Sequence, residues 1–142
     1  MCAREERDRW GARGQRVVAI DRFQHELADA PGGPLKILMD AAEMKFLDGI
    51  FETATTFFFF LFVFPEDRAR ILGEIFRVLR PGGRWLLWDV TVPPHPGDDT
   101  EWFVVRLKTQ LPDGRQVETG YGTPWARMHF SPEEAARLAQ EA

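Results

Sequence analysis

The residues from Lys36 to Val92 read KILMDAAEMKFLDGIFETATTFFFFLFVFPEDRARILGEIFRVLRPGGRWLLWDVTV. Three short apolar runs lie in this stretch, at residues 36–41, 53–63 and 84–92. A segment with helical spacing precedes the last run, and Pro81-Gly82-Gly83 is predicted to end it. Strand, loop, strand, helix, strand is the order typical of a parallel α/β sheet. The stretch therefore predicts an α/β fold to which the rest of the chain attaches.

Length and composition predict a single domain that spans residues 1–142. The net charge of -4 and the pI near 5.4 give no basic excess for a nucleic acid or an anionic membrane. A single cysteine, Cys2, allows no internal disulfide and no Cys-rich zinc site, which favours a cytoplasmic location. The longest apolar run, at 57–64, is shorter than the roughly 20 residues of a membrane helix, and the first residues lack a signal-peptide core.

Four apolar segments are predicted to be strands of the sheet. Arg16–Asp21 has no polar face and ends in a carboxylate, as expected of a buried parallel strand. The other strands are predicted at Lys36–Met39, Thr53–Phe59 and Trp85–Val92. The charged residues 1–15 are predicted to form a solvated, fraying helix, and residues 22–30 a short helical turn or loop.

The segment after Phe64 carries the signals of a helix. Pro65 suits the first helical position, and Glu66 and Asp67 place negative charge near the positive end of the helix dipole. Apolar residues then recur at helical spacing, at Ile71, Leu72, Ile75, Phe76 and Leu79.

Two further signals lie nearer the C-terminus. Pro112-Asp113-Gly114 separates two alternating segments, Trp102–Leu111 and Arg115–Tyr121, and predicts an antiparallel hairpin. Ser131-Pro132-Glu133-Glu134 is predicted to be a capping box, with the serine as N-cap and the last glutamate reaching back to it. The helix that follows is predicted to run to Ala142.

Ligands of an open α/β sheet bind outside the carboxyl ends of its strands. In this sequence those ends lie at Asp21, Asp40, residues 57–60 and Asp89. A carboxylate after the first strand can accept two hydrogen bonds from the vicinal hydroxyls of a ribose, and Asp40 could accept one from an adenine amino group. Each aspartate can equally form a turn that caps the next segment, and both interpretations stay open.

Three strings resemble signatures of class I S-adenosylmethionine-dependent methyltransferases. They are MDAAEMKFLDGIFE at 39–52, EIFRVLRPGGRWLL at 74–87, which is the more specific, and VVAID at 17–21. The similarity covers residues 16–92, and more weakly 130–142. It implies a Rossmann-like, mostly parallel sheet with flanking helices and an antiparallel hairpin near the C-terminus. It also implies that the cofactor is S-adenosylmethionine and that the reaction is methyl transfer to a small molecule.

The same resemblance implies a set of cofactor contacts. Asp21 would bind the ribose of the methyl donor, and Arg22 would flank the adenine. Asp40, with the backbone of Ala41, would bind the adenine. Phe57 would face the methionine part of the donor. Residues 93–125 are expected to contribute to the acceptor side.

The sequence departs from the family in one respect. Such enzymes begin with a strand and a loop of the type Asp-x-Gly-x-Gly, and no Gly-x-Gly precedes Arg16. The sheet is therefore expected to be incomplete at its N-terminus, and three explanations stay open. The segments at 16–21 and 53–59 could pair directly, or a second copy of the chain could lend a strand in a homo-oligomer. Alternatively, the reading frame could be truncated, at its C-terminal end as well.

Two other functions stay open beside methyl transfer. A methyltransferase-like remnant could act without catalysis, through oligomer or partner formation. A nicotinamide-dependent oxidoreductase is suggested by Asp21 alone, but it lacks the Gly-x-Gly-x-x-Gly motif.

Several further side chains have an ordinary structural explanation. Three scattered histidines could each act as a general base, but nothing places one beside a donor methyl: His25, His95 and His129. The aromatic run at 57–64 could line a substrate pocket, although most of it is expected in the core. Trp85, Trp88 and Trp102 are also expected in the core. No metal-ligand spacing is present.

Overall fold

The computed structural model describes residues 16–30, 32–125 and 128–141. It divides into two compact units, Met1–Leu47 and Asp48–Ala142. The mixed α/β class is confirmed, with two parallel strand pairs and one antiparallel pair among the described residues. The helix predicted at 1–15 lies outside the described residues.

Unit 1 is built on a short parallel strand pair. Strand β1 is Val18–Asp21, helix α1 is Gln24–Asp29 and strand β2 is Leu35–Leu38. The register runs from Val18 opposite Leu35 to Asp21 opposite Leu38. Both predicted strands are confirmed with small shifts of their ends. The strand at 16–21 was predicted to be fully buried, and that was wrong, because none of the residues Val18–Asp21 is buried.

Unit 2 contains a second parallel pair, joined by a crossover that includes a helix. Strand β3 is Phe51–Phe57, helix α2 is Pro65–Val78 and strand β4 is Leu79–Trp88. Strand β3 ends two residues before the predicted Phe59, because the backbone turns at Phe58, and a 3-10 helix at Phe60–Phe62 follows.

The helix before Pro81-Gly82-Gly83 ends within two residues of the predicted stop, but the strand that follows starts earlier than predicted. Helix α2 ends at Val78, and this tripeptide lies within β4, which starts at Leu79 and not at the predicted Trp85. The residue before a proline disfavours the helical region, so the chain becomes extended before Pro81 is reached. The register jumps from Phe51 opposite Leu79 to Thr53 opposite Arg84, so the intervening β4 residues bulge from the ladder.

The core of unit 2 forms around α2 and the 3-10 helix. The predicted stripe is largely confirmed, with four buried residues, Ile71, Leu72, Ile75 and Leu79, and a half-buried Phe76. The Phe60 ring stacks on Phe130 at 5.5 Å and meets Trp85 edge-on at 5.7 Å. These ring pairs fix the 3-10 helix against β4 and the C-terminal segment.

The aromatic residues were predicted to be mostly core, and the structure divides them. Phe60, Leu61 and Val63 are buried, while Phe57, Phe62 and Phe64 are exposed. Trp85 is half-buried, but Trp88 and Trp102 are more than half exposed, so that prediction was wrong for these two. Alternation along a strand explains the difference, because Trp85 and Trp88 occupy opposite faces of β4.

The hairpin predicted near the C-terminus is confirmed. Strands β5, Trp102–Gln110, and β6, Gln116–Pro124, pair in antiparallel register around the turn. The turn is closed by the Leu111 N–H, which donates to the Arg115 carbonyl at 2.8 Å. Gly114 has a φ of 84°, which a residue without Cβ adopts at little cost.

Helix α3, Pro132–Glu141, starts at the predicted cap. The Glu134 N–H donates to the Ser131 side-chain oxygen at 3.2 Å, so the N-cap is confirmed. The Glu134 carboxylate was expected to reach back to the cap. In the structure its Oε1 atom accepts from Arg68 on α2, at 2.8 Å.

Arg68 is a charged residue inside the core, with 1% of its surface exposed. Besides Glu134, it donates from Nη1 to the His129 carbonyl at 2.7 Å and from Nε to the Val63 carbonyl at 3.2 Å. Its guanidinium lies 5.1 Å from the centre of the Phe130 ring. One side chain therefore joins α2, the segment before α3 and α3 itself.

Candidate functional site

The two aspartates at the ends of β1 and β2 lie at the same edge of one sheet. Asp21 is the last residue of β1 and pairs with Leu38, the last residue of β2. Asp40 lies two residues after Leu38. Between them, the Met39 N–H donates to the Asp21 carbonyl at 2.9 Å. The parallel pairing brings the two acidic positions to adjacent strand ends, as the α/β rule requires for a ligand site.

Both aspartates also form the turns that were the alternative interpretation. Asp21 Oδ1 accepts from the Phe23 N–H at 2.7 Å, and Asp40 Oδ1 accepts from the Ala42 N–H at 2.8 Å. A carboxylate has two oxygens with about four acceptor positions, so a turn bond to Oδ1 is compatible with a ligand bond to Oδ2. The residues present fit the hydroxyl and amino donors of an adenosine.

Arg22 and Ala41 flank these two carboxylates in the chain. Arg22 is exposed, and its guanidinium lies 4.8 Å from the centre of the Phe23 ring. Ala41 is half-buried. It lies in the chain between Asp40 and Ala42, whose N–H donates to the Asp40 carboxylate. Four of the five expected cofactor residues therefore belong to unit 1.

The fifth, Phe57, belongs to unit 2. It is the last residue of β3, and 64% of its surface is exposed. Its ring meets the Phe58 ring at 4.5 Å, and the Phe58 ring lies 4.9 Å from that of Tyr121 on β6. Neither Phe58 nor Tyr121 was singled out individually from the sequence. Tyr121 is the only tyrosine of the chain, but that gave no signal of its contact with β3.

Asp89, at the carboxyl end of β4, binds the backbone that leaves β3. Its Oδ2 accepts from the Phe59 N–H at 3.0 Å and from the Phe60 N–H at 2.6 Å, and Oδ1 accepts from the Val90 N–H at 2.9 Å. Burial raises the pKa of Asp89, while the backbone hydrogen bonds lower it and offset part of that rise.

The three histidines do not converge. The His129 ring donates from Nδ1 to the Val92 carbonyl at 2.7 Å. His25 lies 3.5 Å from the Glu26 carboxylate. His95 accepts the Gly97 N–H on Nδ1 at 3.0 Å, so its Nε2 carries the proton of the 2.7 Å bond to the Thr100 carbonyl. Within the described ranges, no three His, Cys, Asp or Glu side chains are grouped as metal ligands.

A cavity of about 410 Å³ opens beside His95 in unit 2. It is lined by residues 98–101 of the following loop, together with Phe64 and Pro124. Most of this lining belongs to the segment 93–125 that was expected on the acceptor side.

Comparison with known proteins gives the family. Residues 4–87, more than half of the chain, match the family model described as "Methyltransferase domain". Over 54 residues the chain is 41% identical to the ubiquinone/menaquinone biosynthesis C-methyltransferase UbiE of Desulfotalea psychrophila. That match covers 38% of this chain and only 21% of the relative's length.

A solved structure shares the fold. The PH0226 protein from Pyrococcus horikoshii OT3 superposes with a TM-score of 0.63 at 15% sequence identity, covering 92% of this chain and 66% of that one. In the part of the chain that the structure describes, no helix has the length and apolarity needed to span a membrane. With the family model covering more than half of its residues, the chain belongs to the class I S-adenosylmethionine-dependent methyltransferases.

Proposed function

We propose that this chain binds S-adenosylmethionine at the carboxyl ends of β1 and β2 and transfers its methyl group to a small molecule. The observation that carries the proposal is the pair of carboxylates, Asp21 and Asp40, at adjacent ends of one parallel strand pair. Members of the family use this donor, and the chain's similarity to a C-methyltransferase supports methyl transfer as the reaction type.

Each expected contact has a physical basis. Asp21 would accept hydrogen bonds from the ribose hydroxyls, and such charge-assisted bonds are stronger than neutral ones. Asp40, with the Ala41 backbone, would bind the adenine by accepting from its amino group. Arg22 would flank the adenine. Phe57 keeps the role that the family resemblance implies, contact with the methionine part, as a separate prediction.

The chain contributes mainly position to this chemistry. When bound, the donor would supply an electrophilic methyl group: the acceptor atom would form a bond to the methyl carbon as the bond from that carbon to the sulfonium sulfur breaks, with S-adenosylhomocysteine as the leaving group. Holding acceptor and donor in register converts an encounter of two molecules into a step within one complex, which can supply most of the required rate acceleration. A general base is needed only for an acceptor that must lose a proton.

Residues 93–125 keep their expected role on the acceptor side as a separate prediction. What supports it is that this segment supplies most of the lining of the cavity near His95. The identity of the acceptor follows from a substrate screen with the purified chain.

The test is calorimetric titration of the purified chain with S-adenosylmethionine and S-adenosylhomocysteine. Asp21→Ala should weaken donor binding by about 1–3 kcal/mol, because a charged hydrogen-bond partner is lost. Asp29→Ala is the matched control, since this exposed aspartate ends α1 in the same unit. Unchanged affinity in Asp21→Ala would remove Asp21 from the site, and a folded wild type that binds neither ligand would overturn the proposal.

Assembly with further copies of the chain is a second proposal. The strand β2 exposes 63% of Leu35 and 58% of Leu38, which favours a partner for unit 1. Light scattering should then report more than one chain per particle, and Leu38→Gln should lower that mass. A monomeric wild type would contradict assembly.

A cytoplasmic location is a separate proposal, and imaging of a tagged chain tests it.

A further inference from the structure

The backbone that leaves β3 has an unusual conformation. Phe58 has a φ of 47°, in the left-handed region, and it is the only described residue other than glycine with a positive φ. A bulky side chain is unfavourable there, because its Cβ crowds the following carbonyl. Such a conformation persists only where the surrounding structure holds it.

Hydrogen bonds to Trp88 and Asp89 hold the chain at this residue and directly after it. The Phe58 N–H donates to the Trp88 carbonyl at 2.7 Å. The next two N–H groups, of Phe59 and Phe60, both donate to Asp89 Oδ2. The carboxylate thus caps the start of the 3-10 helix from a residue that lies 29 positions further along the chain than Phe60.

Four rings lie around this turn and form the aromatic cluster of Phe57, Phe58, Phe62 and Tyr121. Centroid distances are 4.5 Å for Phe57 and Phe58, 4.9 Å for Phe58 and Tyr121, and 6.3 Å for Phe62 and Tyr121. Phe57 and Phe58 precede the residues that Asp89 binds, and Phe62 follows them. A change in the Asp89 contacts therefore changes where the rings of the cluster can lie.

We propose that Asp89 is a positioning residue, which holds the left-handed turn at Phe58 and thereby sets the aromatic cluster at the carboxyl end of β3. The inference rests on the proposed function for its link to the ligand, since Phe57 is the residue expected to face the methionine part of the donor. Asp89 does not need to touch the donor. It acts through the backbone of Phe59 and Phe60.

The chemistry of the contact explains why a carboxylate is needed. Both oxygens of Asp89 face backbone N–H groups, so each must be an acceptor. Asparagine keeps one acceptor oxygen and turns an NH2 group toward a donor at the other position. Alanine removes both acceptors and leaves the N–H groups of a half-buried turn without them. The ability to hold this turn should therefore decrease from Asp to Asn to Ala at position 89.

The single tyrosine gives a local measurement of the cluster. Chain labelled with 3-fluorotyrosine has one fluorine site, at Tyr121, whose NMR signal depends on the neighbouring rings. Asp89→Ala should displace or broaden this signal and raise the dissociation constant for S-adenosylmethionine about tenfold. Asp89→Asn should show smaller changes in the same direction. Ser131→Ala, which removes the α3 cap, should leave the signal and the dissociation constant unchanged.

Two results would overturn the inference. One is a folded Asp89→Ala variant with an unaltered fluorine signal, and the other is an unaltered dissociation constant when the wild type binds the donor. If Asp89→Ala does not fold, Asp89→Asn is judged by the same two measurements. If the wild type binds no donor, the proposed function fails, and the fluorine signal still decides whether Asp89 holds the cluster.

Discussion

The two units differ in how much core they contain. In unit 1 the paired strands have four residues each, and among its described residues only Ala42 is a buried apolar side chain. Unit 2 holds all the other buried apolar side chains of the described residues, around α2, the 3-10 helix and the segment before α3. The carboxylates proposed to bind the donor therefore lie in the unit with little core of its own.

This difference has a thermodynamic meaning. Regions with few buried apolar contacts open locally at low cost, while core elements open only with the whole unit. A ligand that binds unit 1 therefore adds stabilising free energy to the unit whose own buried contacts contribute least. Unit 2 instead depends on internal contacts. Among them is the Arg68 cluster, which is the buried Arg68 with its partners Val63, His129 and Glu134, and losing a partner of a buried charge is costly.

The largest expected effect is on unit 2. Arg68→Ala should destabilise the chain by about 3–5 kcal/mol, since it leaves the Glu134 carboxylate without its buried partner and opens a gap beside Phe130. Urea unfolding measures the change. Arg70→Ala, on the exposed side of α2 with an ion pair to Asp67, should change stability by less than about 0.5 kcal/mol. Equal effects of the two would show that the Arg68 contacts do not hold unit 2 together.

The next effect concerns unit 1 and the donor. At a donor concentration of about 100 times its dissociation constant, opening events that release it become up to about 2.7 kcal/mol more costly. Hydrogen exchange should slow at the backbone of β1 and β2 and stay unchanged at the turn between Leu111 and Arg115, which opens without releasing the donor. Asp21→Ala at the same donor concentration should lose much of this protection. If the donor slowed exchange equally at the β1 and β2 backbone and at the Leu111–Arg115 turn of the wild type, the proposed difference between the two units would be contradicted.

Two glycines of unit 2 should respond with opposite sign. At Gly83 an added Cβ would lie 2.8 Å from the Arg80 carbonyl oxygen and 3.3 Å from that of Glu52, so Gly83→Ala should cost about 1–3 kcal/mol. At Gly73, inside α2, nothing lies within 4 Å, and Gly73→Ala should stabilise the chain by about 0.5–1 kcal/mol. Thermal unfolding of both variants tests the bulge in β4, and destabilisation by Gly73→Ala would contradict the open space beside α2.

Local signals in the sequence predicted those parts of the structure that local chemistry decides. Asp113-Gly114 gave the hairpin, and Ser131 gave the start of α3. The position of Pro81-Gly82-Gly83 within β4 depends on the register with β3, which is a tertiary property. Arg68 was missed although its spacing to Ile71, Leu72 and Ile75 places it on the apolar face of α2.

The candidate site was predicted to a similar extent. Asp21 and Asp40 were found as carboxylates after apolar strands, and the parallel pairing of β1 and β2 then brought them to one edge. Asp89 was found by the same rule, but its contacts with the backbone after β3 depend on residues that lie about thirty positions earlier in the chain. No local pattern encodes such a contact.

The smallest expected effect is a change of pH dependence in unit 2. Burial raises the pKa of Asp89, so the native state takes up this proton more readily than the unfolded chain. Its contribution to stability is greatest below its ordinary pKa and declines as the pH rises through the raised native value. Asp89→Asn removes this decline, so its free energy of unfolding relative to the wild type should improve as the pH rises from the ordinary carboxyl pKa through the raised native pKa of Asp89. Parallel curves from urea titrations would contradict the shift.

The Arg68 cluster has a consequence for the order of events during synthesis. Its partners His129 and Glu134 lie 61 and 66 residues further along the chain. While the ribosome makes those residues, α2 carries a cation on the face that will be buried, and that face stays hydrated until its partners arrive. Unit 2 therefore cannot complete its core one element at a time. We expect α2 to remain unpacked in the nascent chain, and the last contacts of the core to form together once residues 129–134 have emerged.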